Sequence, residues 1–189
     1  LRPSLLGASL STMANTLTSP VPDCPPEAPR DCPRCARLVA FREASIAANP
    51  GWFNGAVPSF GADTARLLIV GLAPGLKGAN RTGRPFTGDY AGDLLYSTLL
   101  AFGFARGTFR ADPNDGLKLV DCMITNAVRC VPPGNKPLPQ EITTCREYFS
   151  SRLAHLPRLR AMVALGRVAH DQTLTTLGVR KSLYPFRHG

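Results

Sequence analysis

Three short apolar segments, each followed by a helical pattern, constrain the fold of this chain more than any other feature. The apolar segments are 66–70, 119–128 and 161–165, and the helical patterns are 92–102, 139–156 and 168–177. Short apolar runs are typical of strands buried on both faces, and strands that alternate with helices form a parallel sheet. The sequence therefore predicts an α/β fold, a three-layer α/β/α sandwich with a central, mostly parallel sheet.

The length fits one domain preceded by a segment of different composition. The chain has 189 residues, of which 44% are hydrophobic, and this is enough to fill one core. Residues 1–30 are rich in Pro, Ser and Thr and lack apolar periodicity, so we expect a disordered leader. The domain is expected over 31–189, starting with a helical pattern at 33–48. No apolar run reaches the roughly 18–20 residues of a membrane span, so we expect no membrane partner.

A glycine-rich loop, 71–89, follows the first predicted strand. Glycines beside a buried strand indicate that the backbone closely approaches another group. A phosphate-binding Walker loop would need Ser or Thr after Lys77, but Gly78 follows, and this weakens the hypothesis of a phosphate-handling enzyme.

The second half of this loop combines four side chains of different chemistry. Arg81 and Arg84 could bind phosphates, the Phe86 ring could stack on a base, and the Asp89 carboxylate could activate water. Each residue also has an ordinary structural interpretation, Phe86 as core and Asp89 as a helix cap. Their position after a strand favours a function, because α/β folds bind ligands at the carboxyl ends of strands. The net charge of +9 is compatible with a nucleic-acid partner but is weak support alone.

Four of the six cysteines have a spacing that is typical of metal ligation. Cys32 and Cys35 form a C-x-x-C pair, and Cys130 and Cys145 flank a proline-rich loop and the start of a helical pattern. Four thiolates can bind either zinc or a [4Fe–4S] cluster; the spacing leaves both open, and the residues alone favour zinc. Cys24 and Cys122 are not included, since one lies in the leader and the other in a strand.

Two blocks of sequence carry a family resemblance. Residues 71–75 with 80–89 read GLAPG and NRTGRPFTGD, and residues 125–137 read TNAVRCVPPGNKP. These blocks resemble the iron–sulfur uracil-DNA glycosylases, and more narrowly their family 5 (type B) branch, because Leu72 stands where family 4 carries an acid. The resemblance implies a repair enzyme that flips uracil, and other deaminated bases, out of DNA and hydrolyses the N-glycosidic bond. We expect a monomer in the cytoplasm of a bacterial or archaeal cell, near the nucleoid.

The resemblance also implies roles for individual residues. The expected catalytic residues are Asp89 and Asn126. The expected substrate-binding residues are Gly71, Leu72, Ala73, Phe86 and Asn126. The expected DNA-binding residues are Arg81, Arg84 and Lys136, and Arg129 and Arg146 could add positive charge near them. The expected ligands of a [4Fe–4S] cluster are Cys32, Cys35, Cys130 and Cys145.

One part of the family pattern is absent from the sequence. The family carries a late His-Pro-Ser motif, and no such motif occurs before Gly189. We therefore expect that the sequence is cut before this motif and one strand. The alternative hypothesis is a non-catalytic nucleic-acid-binding module stabilised by a cluster or by zinc.

Overall fold

A four-stranded sheet lies at the centre of the computed structural model, which describes residues 23–188. The six strands are β1 (Phe60–Gly61), β2 (Leu67–Gly71), β3 (Ala105–Arg106), β4 (Lys118–Leu119), β5 (Cys122–Asn126) and β6 (Ala161–Ala164). The central sheet has the order β1-β5-β2-β6, in which β2 is parallel to both β5 and β6 and only β1 is antiparallel. Strands β3 and β4 form a separate antiparallel pair.

Helices follow each of the parallel strands. They are α1 (Ala36–Ala48), α2 (Ala79–Thr82), α3 (Tyr90–Ala101), α4 (Pro139–Ala154) and α5 (Arg167–Thr176), with two 3-10 turns at Pro133–Asn135 and Lys181–Leu183. Helix α4 starts where Pro139 occupies the first helical position and the Glu141 carboxylate accepts a hydrogen bond from Leu138 N at 2.7 Å. Both features are typical of a helix start.

Alternate residues of β2 face opposite layers. Leu68 and Val70 pack with Phe149 of α4 and Ala169 of α5. On the other face, Ile69 packs in the same cluster as Tyr96 and other residues of α3. The predicted three-layer α/β/α sandwich with a mostly parallel sheet is therefore confirmed.

The sequence patterns missed several short elements. Strands β1, β3 and β4 have two residues each, too few for an alternating pattern. The predicted loop 71–89 also contains the four-residue helix α2. The three parallel strands and the helices that follow them lie within a few residues of their predicted bounds.

The end of the predicted leader packs against the domain. Residues 1–22 lie outside the described residues, but Ala28 is buried and Glu27 forms ion pairs with Arg129 and Arg152 at 3.0 and 3.1 Å. Ser59 N also donates to the Glu27 carboxylate at 2.9 Å. Ordered structure thus includes residues 23–30, and the boundary predicted at residue 31 was too late. Residues 23–30 are ordered because Glu27 forms ion pairs with the domain, and the composition of this segment does not reveal those pairs.

The longest helix within residues 23–188, α4, has 16 residues; the other described helices are shorter. None of them is both long enough and apolar enough to cross a bilayer.

Candidate active site and cysteine site

A cavity of about 160 Å³ lies at the carboxyl ends of β2 and β5. Its lining residues are Leu72, Ala73, Gly75, Ala79, Phe86, Thr87, Asp89, Asn126 and Leu165. A water molecule needs roughly 10–15 Å³ of such volume, so the cavity has room for a larger ligand. Five of these nine were expected as site residues, namely Leu72, Ala73, Phe86, Asp89 and Asn126, and all lie in the two blocks that follow the strands. The others carry no chemical pattern that distinguishes them.

Two of the predicted substrate-binding side chains, those of Phe86 and Asn126, meet at Gly71. A Cβ atom built on Gly71 would lie 2.5 Å from Asn126 Oδ1 and 2.6 Å from the Phe86 ring. Such distances leave no room for any side chain at residue 71. Asn126 is only 3% exposed, and its register partner across the β2–β5 ladder is Gly71 itself. The sheet therefore places an amide and an aromatic ring beside each other at the cavity.

The loop after β2 presents backbone to the same cavity. Val128 N donates to Leu72 O at 3.0 Å, which continues the pairing between β2 and β5 beyond the strands. Among residues 23–188, the N–H groups of Leu72 and Ala73 take part in no loop or turn hydrogen bond. Free N–H groups at a cavity can stabilise negative charge on a bound molecule.

Asp89 borders the cavity and also caps helix α3. Its Oδ1 accepts a hydrogen bond from Gly92 N at 2.8 Å, so the structural interpretation as a helix cap is correct. The side chain is exposed and has a second carboxylate oxygen that the cap does not use. The same carboxylate also borders the cavity, so the catalytic role of Asp89 stays a prediction.

The two loop arginines have opposite environments. Arg81 is exposed, as a DNA-binding residue must be. Arg84 is 4% exposed and donates two hydrogen bonds to Asp115, at 2.9 and 2.7 Å. The prediction that Arg84 binds DNA was therefore wrong, because its guanidinium is already paired inside the protein. No local pattern signals this pairing, since Asp115 lies 31 residues away.

The other predicted cations also differ. Lys136 is exposed near the end of the proline-rich loop, so its role in DNA binding stays a prediction. Arg129 is 1% exposed and binds Glu27 and Ser59, so it cannot present positive charge to DNA. Arg146 donates to Gln172 at 2.7 Å.

A second, smaller cavity is lined by four thiols. Its volume is about 20 Å³, and its lining includes Cys32, Cys35, Cys130 and Cys145. The four predicted ligands thus meet although they come from distant parts of the sequence. All are free thiols, and within residues 23–188 no three His, Cys, Asp or Glu side chains converge closely enough for a single metal ion. Cys122, which was not included among the ligands, is a buried free thiol in β5.

Hydrogen bonds fix the segments that carry these cysteines. Arg42 of α1 donates to Cys32 O at 3.0 Å and to Asp31 O at 3.1 Å. Arg129 N donates to Cys145 Sγ at 3.3 Å. The first two contacts hold the segment of the N-terminal pair, and the third joins the proline-rich loop to α4; both pairs line the same cavity.

Burial makes Cys35, Cys130 and Cys145 weaker acids in this structure by raising their pKa values. Desolvation, together with the neighbouring cysteines, raises the pKa of Cys130 to about 12. Burial also raises the pKa of Cys145 to about 11 and shifts the pKa of Cys35 upward. A bound cation would reverse this preference, because thiolates are the form that binds metal and the protons are released on binding.

Comparison with known proteins agrees with this geometry. The family model of the uracil DNA glycosylase superfamily matches residues 58–188. A type-5 uracil-DNA glycosylase of Thermus thermophilus is 46% identical over 164 residues, which cover 84% of this chain and 74% of the relative. A type-5 enzyme of Mycobacterium bovis is 41% identical over 167 residues, covering 84% of this chain and 62% of the relative.

A more distant relative comes from the type-4 group. The type-4 uracil-DNA glycosylase of Pyrobaculum aerophilum is 34% identical over 126 residues, which cover 66% of this chain and 56% of the relative. The chain belongs to the uracil DNA glycosylase superfamily, within its type-5 group. The family predicted from the two sequence blocks is confirmed.

Proposed function

We propose that this chain removes uracil from DNA by hydrolysing the N-glycosidic bond of a base that has left the helix. The observation that carries the proposal is the contact of the Phe86 ring and the Asn126 amide at Gly71, inside the larger cavity. An aromatic face and an amide are what a site needs to hold a flipped base and read its edge. The names of the relatives support the same activity.

Asn126 supplies recognition of the base. Its side chain has one acceptor oxygen and one NH2 donor group, and uracil offers an N3–H donor beside an O4 acceptor. Cytosine presents the opposite pattern, with an acceptor at N3 and an amine in place of O4. One fixed amide can therefore bind uracil and leave polar groups unpaired with cytosine, which penalises the wrong base.

The bond-breaking step needs stabilisation of two charges. When the bond between C1′ and N1 breaks, its electron pair leaves with uracil, and the sugar becomes an oxocarbenium-like cation. The N–H groups of Leu72 and Ala73 stabilise the anion, and the Asp89 carboxylate stabilises the cation or orients water. Water adds to C1′ and loses a proton, and the uracil anion takes up a proton from the solvent, which yields free uracil and an abasic site.

The range of bases depends on the wall of the cavity at Leu72. This residue is half-buried and apolar, and it lines the cavity. An apolar wall sets no hydrogen-bonding requirement on the part of the base that faces it. We therefore include other deaminated bases among the substrates.

The binding surface for DNA includes Arg81 and Lys136, both of which are exposed. Phosphate contacts supply most of the affinity of such proteins and do not depend on sequence. We propose that the chain acts as a monomer in the compartment that holds the DNA, the cytoplasm of a bacterial or archaeal cell.

A single-turnover assay tests the activity. The 189-residue chain, and the longest form that its gene encodes, are mixed in excess with duplex DNA that carries one uracil. We expect release of free uracil and an alkali-labile abasic site, and no reaction on the matched thymine duplex. DNA binding by both forms without base release would contradict the proposal and favour a non-catalytic module.

We also propose that Cys32, Cys35, Cys130 and Cys145 bind a [4Fe–4S] cluster. Four thiols around one cavity, with both pairs fixed by neighbouring segments, supply the four-thiolate donor set of such clusters. A single zinc ion needs all four sulfurs about 2.3 Å from one point. The resemblance of residues 71–89 and 125–137 to the iron–sulfur uracil-DNA glycosylases favours the cluster over zinc.

The role of the cluster is structural in this proposal. It joins the segment before α1 to the loop before α4, and this loop begins just after Asn126. Cys130 lies only four residues after Asn126 in the chain. Loss of the cluster should therefore disturb both DNA binding and catalysis.

Anaerobic purification with metal quantitation tests the cluster. We expect about four iron atoms per chain, a brown sample, and loss of the colour in Cys130→Ser. The matched control is Cys122→Ser, a buried thiol that lies outside the site and should keep full iron. A colourless protein that contains stoichiometric zinc would contradict the proposal.

A further inference from the structure

The backbone at Phe86 adopts a conformation that aromatic residues rarely occupy. Its φ angle is +56°, in the left-handed region that favours glycine. Residues held in this region cost free energy and persist only where the surrounding structure holds them in place. The contacts of the neighbouring residues therefore determine where the Phe86 ring lies.

Hydrogen bonds fix the backbone before Phe86. The Tyr96 hydroxyl, which is fully buried in α3, donates to Pro85 O at 2.8 Å. The Thr87 hydroxyl donates to Arg84 O at 2.9 Å. The backbone carbonyl oxygens of Arg84 and Pro85 thus each accept a hydrogen bond from a side-chain hydroxyl group.

Helix α3 also fits closely against the Phe86 carbonyl group. A Cβ atom built on Gly92 would lie 2.1 Å from Phe86 O, so only glycine permits this approach. The turn is therefore held from the side of α3 as well as by its own hydrogen bonds.

The Arg84 side chain anchors the same turn to the loop between β3 and β4. Its two hydrogen bonds to Asp115 are buried, since the side chains are 4% and 0% exposed. Asp115 also accepts hydrogen bonds from Arg110 N and Leu117 N, both at 2.9 Å. The anchor is thus a carboxylate whose own position is fixed by the backbone.

Three aromatic rings enclose the Arg84 guanidinium. The ring centres of Phe60, Tyr96 and Phe109 lie 5.3, 5.4 and 5.5 Å from its central carbon. Tyr96 therefore takes part twice, through its ring at Arg84 and through its hydroxyl at Pro85.

We propose that Arg84, Asp115 and Tyr96 are positioning residues that hold the strained turn at Phe86 and so present its ring to the base. The inference rests on the proposed function, because that function gives the ring a base to stack on. Stability alone does not explain a buried ion pair, since apolar residues in its place often stabilise a protein as well or better. The pair fixes one conformation of the turn, and that conformation puts Phe86 beside Asn126.

The variant Tyr96→Phe tests the proposal with the least disturbance. It keeps the ring and removes only the hydroxyl that binds Pro85 O. We expect the single-turnover rate of uracil release to fall by about 10-fold or more, because displacement of a positioning group by about 1 Å can cost up to 10²-fold. The dissociation constant for uracil-free DNA should remain within about 2-fold of wild type, since phosphates dominate that affinity.

A double-mutant cycle separates positioning from a general structural effect. If Tyr96 acts through Phe86, then Tyr96→Phe should cost little further activity in a Phe86→Ala background. An equal loss in both backgrounds, or wild-type activity of Tyr96→Phe, would overturn the proposal. Leu153→Ala is the control, because Leu153 packs on the opposite face of the sheet and its loss lowers stability without reaching the turn.

A spectroscopic readout keeps this test independent of catalysis. Fluorophenylalanine is incorporated, and the 19F resonance of residue 86 is assigned with Phe86→Leu. We expect this resonance to shift or broaden in Tyr96→Phe and to stay in place in Leu153→Ala. An unmoved resonance in Tyr96→Phe would refute the inference, whereas wild-type protein that binds DNA but releases no uracil would refute only the proposed function.

Discussion

At the scale of single residues, Asp89 combines two roles that substitution can separate. The carboxylate caps α3 through Gly92 N and borders the cavity. Asparagine is about as good a cap as aspartate but carries no negative charge. The two roles therefore predict different results for Asp89→Asn.

We expect Asp89→Asn to fold with near wild-type stability and to lose uracil release by ~10²–10⁴-fold, the scale of a positioned acid or base. Asp89→Ala should lose activity and also ~0.5–2 kcal/mol of unfolding free energy, because the cap is removed. Single-turnover kinetics and urea unfolding measure the two effects. The control is Asp112→Asn, an exposed acid that accepts a backbone hydrogen bond away from the cavity. Full activity of Asp89→Asn would remove Asp89 from the mechanism.

Asn126 is the residue on which base recognition depends in this proposal. Asn126→Ala should reduce uracil release by ~10²-fold or more, since a site built on hydrogen bonds discriminates strongly when they are desolvated. Binding to uracil-free DNA should change little, because phosphate contacts are unaffected. Rates from single-turnover assays and dissociation constants from anisotropy check this. Parallel losses in both measurements would show that Asn126 only terminates its strand.

At the scale of elements, the loop between β2 and α3 divides its two arginines between surface and interior. Arg81 is exposed, and Arg84 is buried against Asp115. Removing one partner of a buried pair leaves an uncompensated charge, at a cost of about 3–5 kcal/mol. We therefore expect Arg84→Ala to destabilise the fold and to release the turn at Phe86, and not to remove a phosphate contact.

Arg81→Ala should act through DNA. If its guanidinium contacts a phosphate, the slope of log affinity against log salt concentration should fall by about one. Titrations over a series of salt concentrations measure the slope. Arg158→Ala is the matched control, because Arg158 is exposed at the amino end of β6, on the edge of the sheet opposite the cavity. Equal slopes in the two variants would place Arg81 outside the interface.

At the scale of the whole molecule, paired carboxylates make stability depend on pH. Hydrogen bonds from Arg84 hold the pKa of Asp115 far below its usual range. Because the folded-state pKa is depressed, ionised Asp115 stabilises the fold above its ordinary pKa of about 4, and this contribution is lost as pH falls toward the folded-state value.

We therefore expect wild type to lose more unfolding free energy between about pH 5 and pH 3 than Asp115→Asn does, although Asp115→Asn is less stable at neutral pH. Urea unfolding at each pH measures this. Asp112→Asn, an exposed carboxylate in the same loop, should follow the wild-type curve. The cysteines are the same in all three proteins. Any effect of acid on the cysteine site therefore cancels when their unfolding free energies are compared at the same pH. Identical pH curves for wild type and Asp115→Asn would contradict the role of the pair.

The parallel strands and the side chains at their ends could be predicted from local sequence patterns. The apolar runs that became β2, β5 and β6 need no partner to be recognised, because burial on both faces leaves a continuous hydrophobic pattern. Asn126 and the glycine loop follow those runs directly in the chain. Their meeting at one sheet edge therefore follows from local pattern and strand direction alone.

Which polar groups are buried depends on contacts between segments that are distant in sequence. Arg81 and Arg84 have the same side chain three residues apart, yet Arg84 is buried because Asp115 from a distant loop neutralises it. Residues 23–30 pack for a similar reason, since Glu27 meets Arg129 and Arg152. Burial of a charge depends on a partner that is close in space and remote in sequence, and no local pattern contains that information.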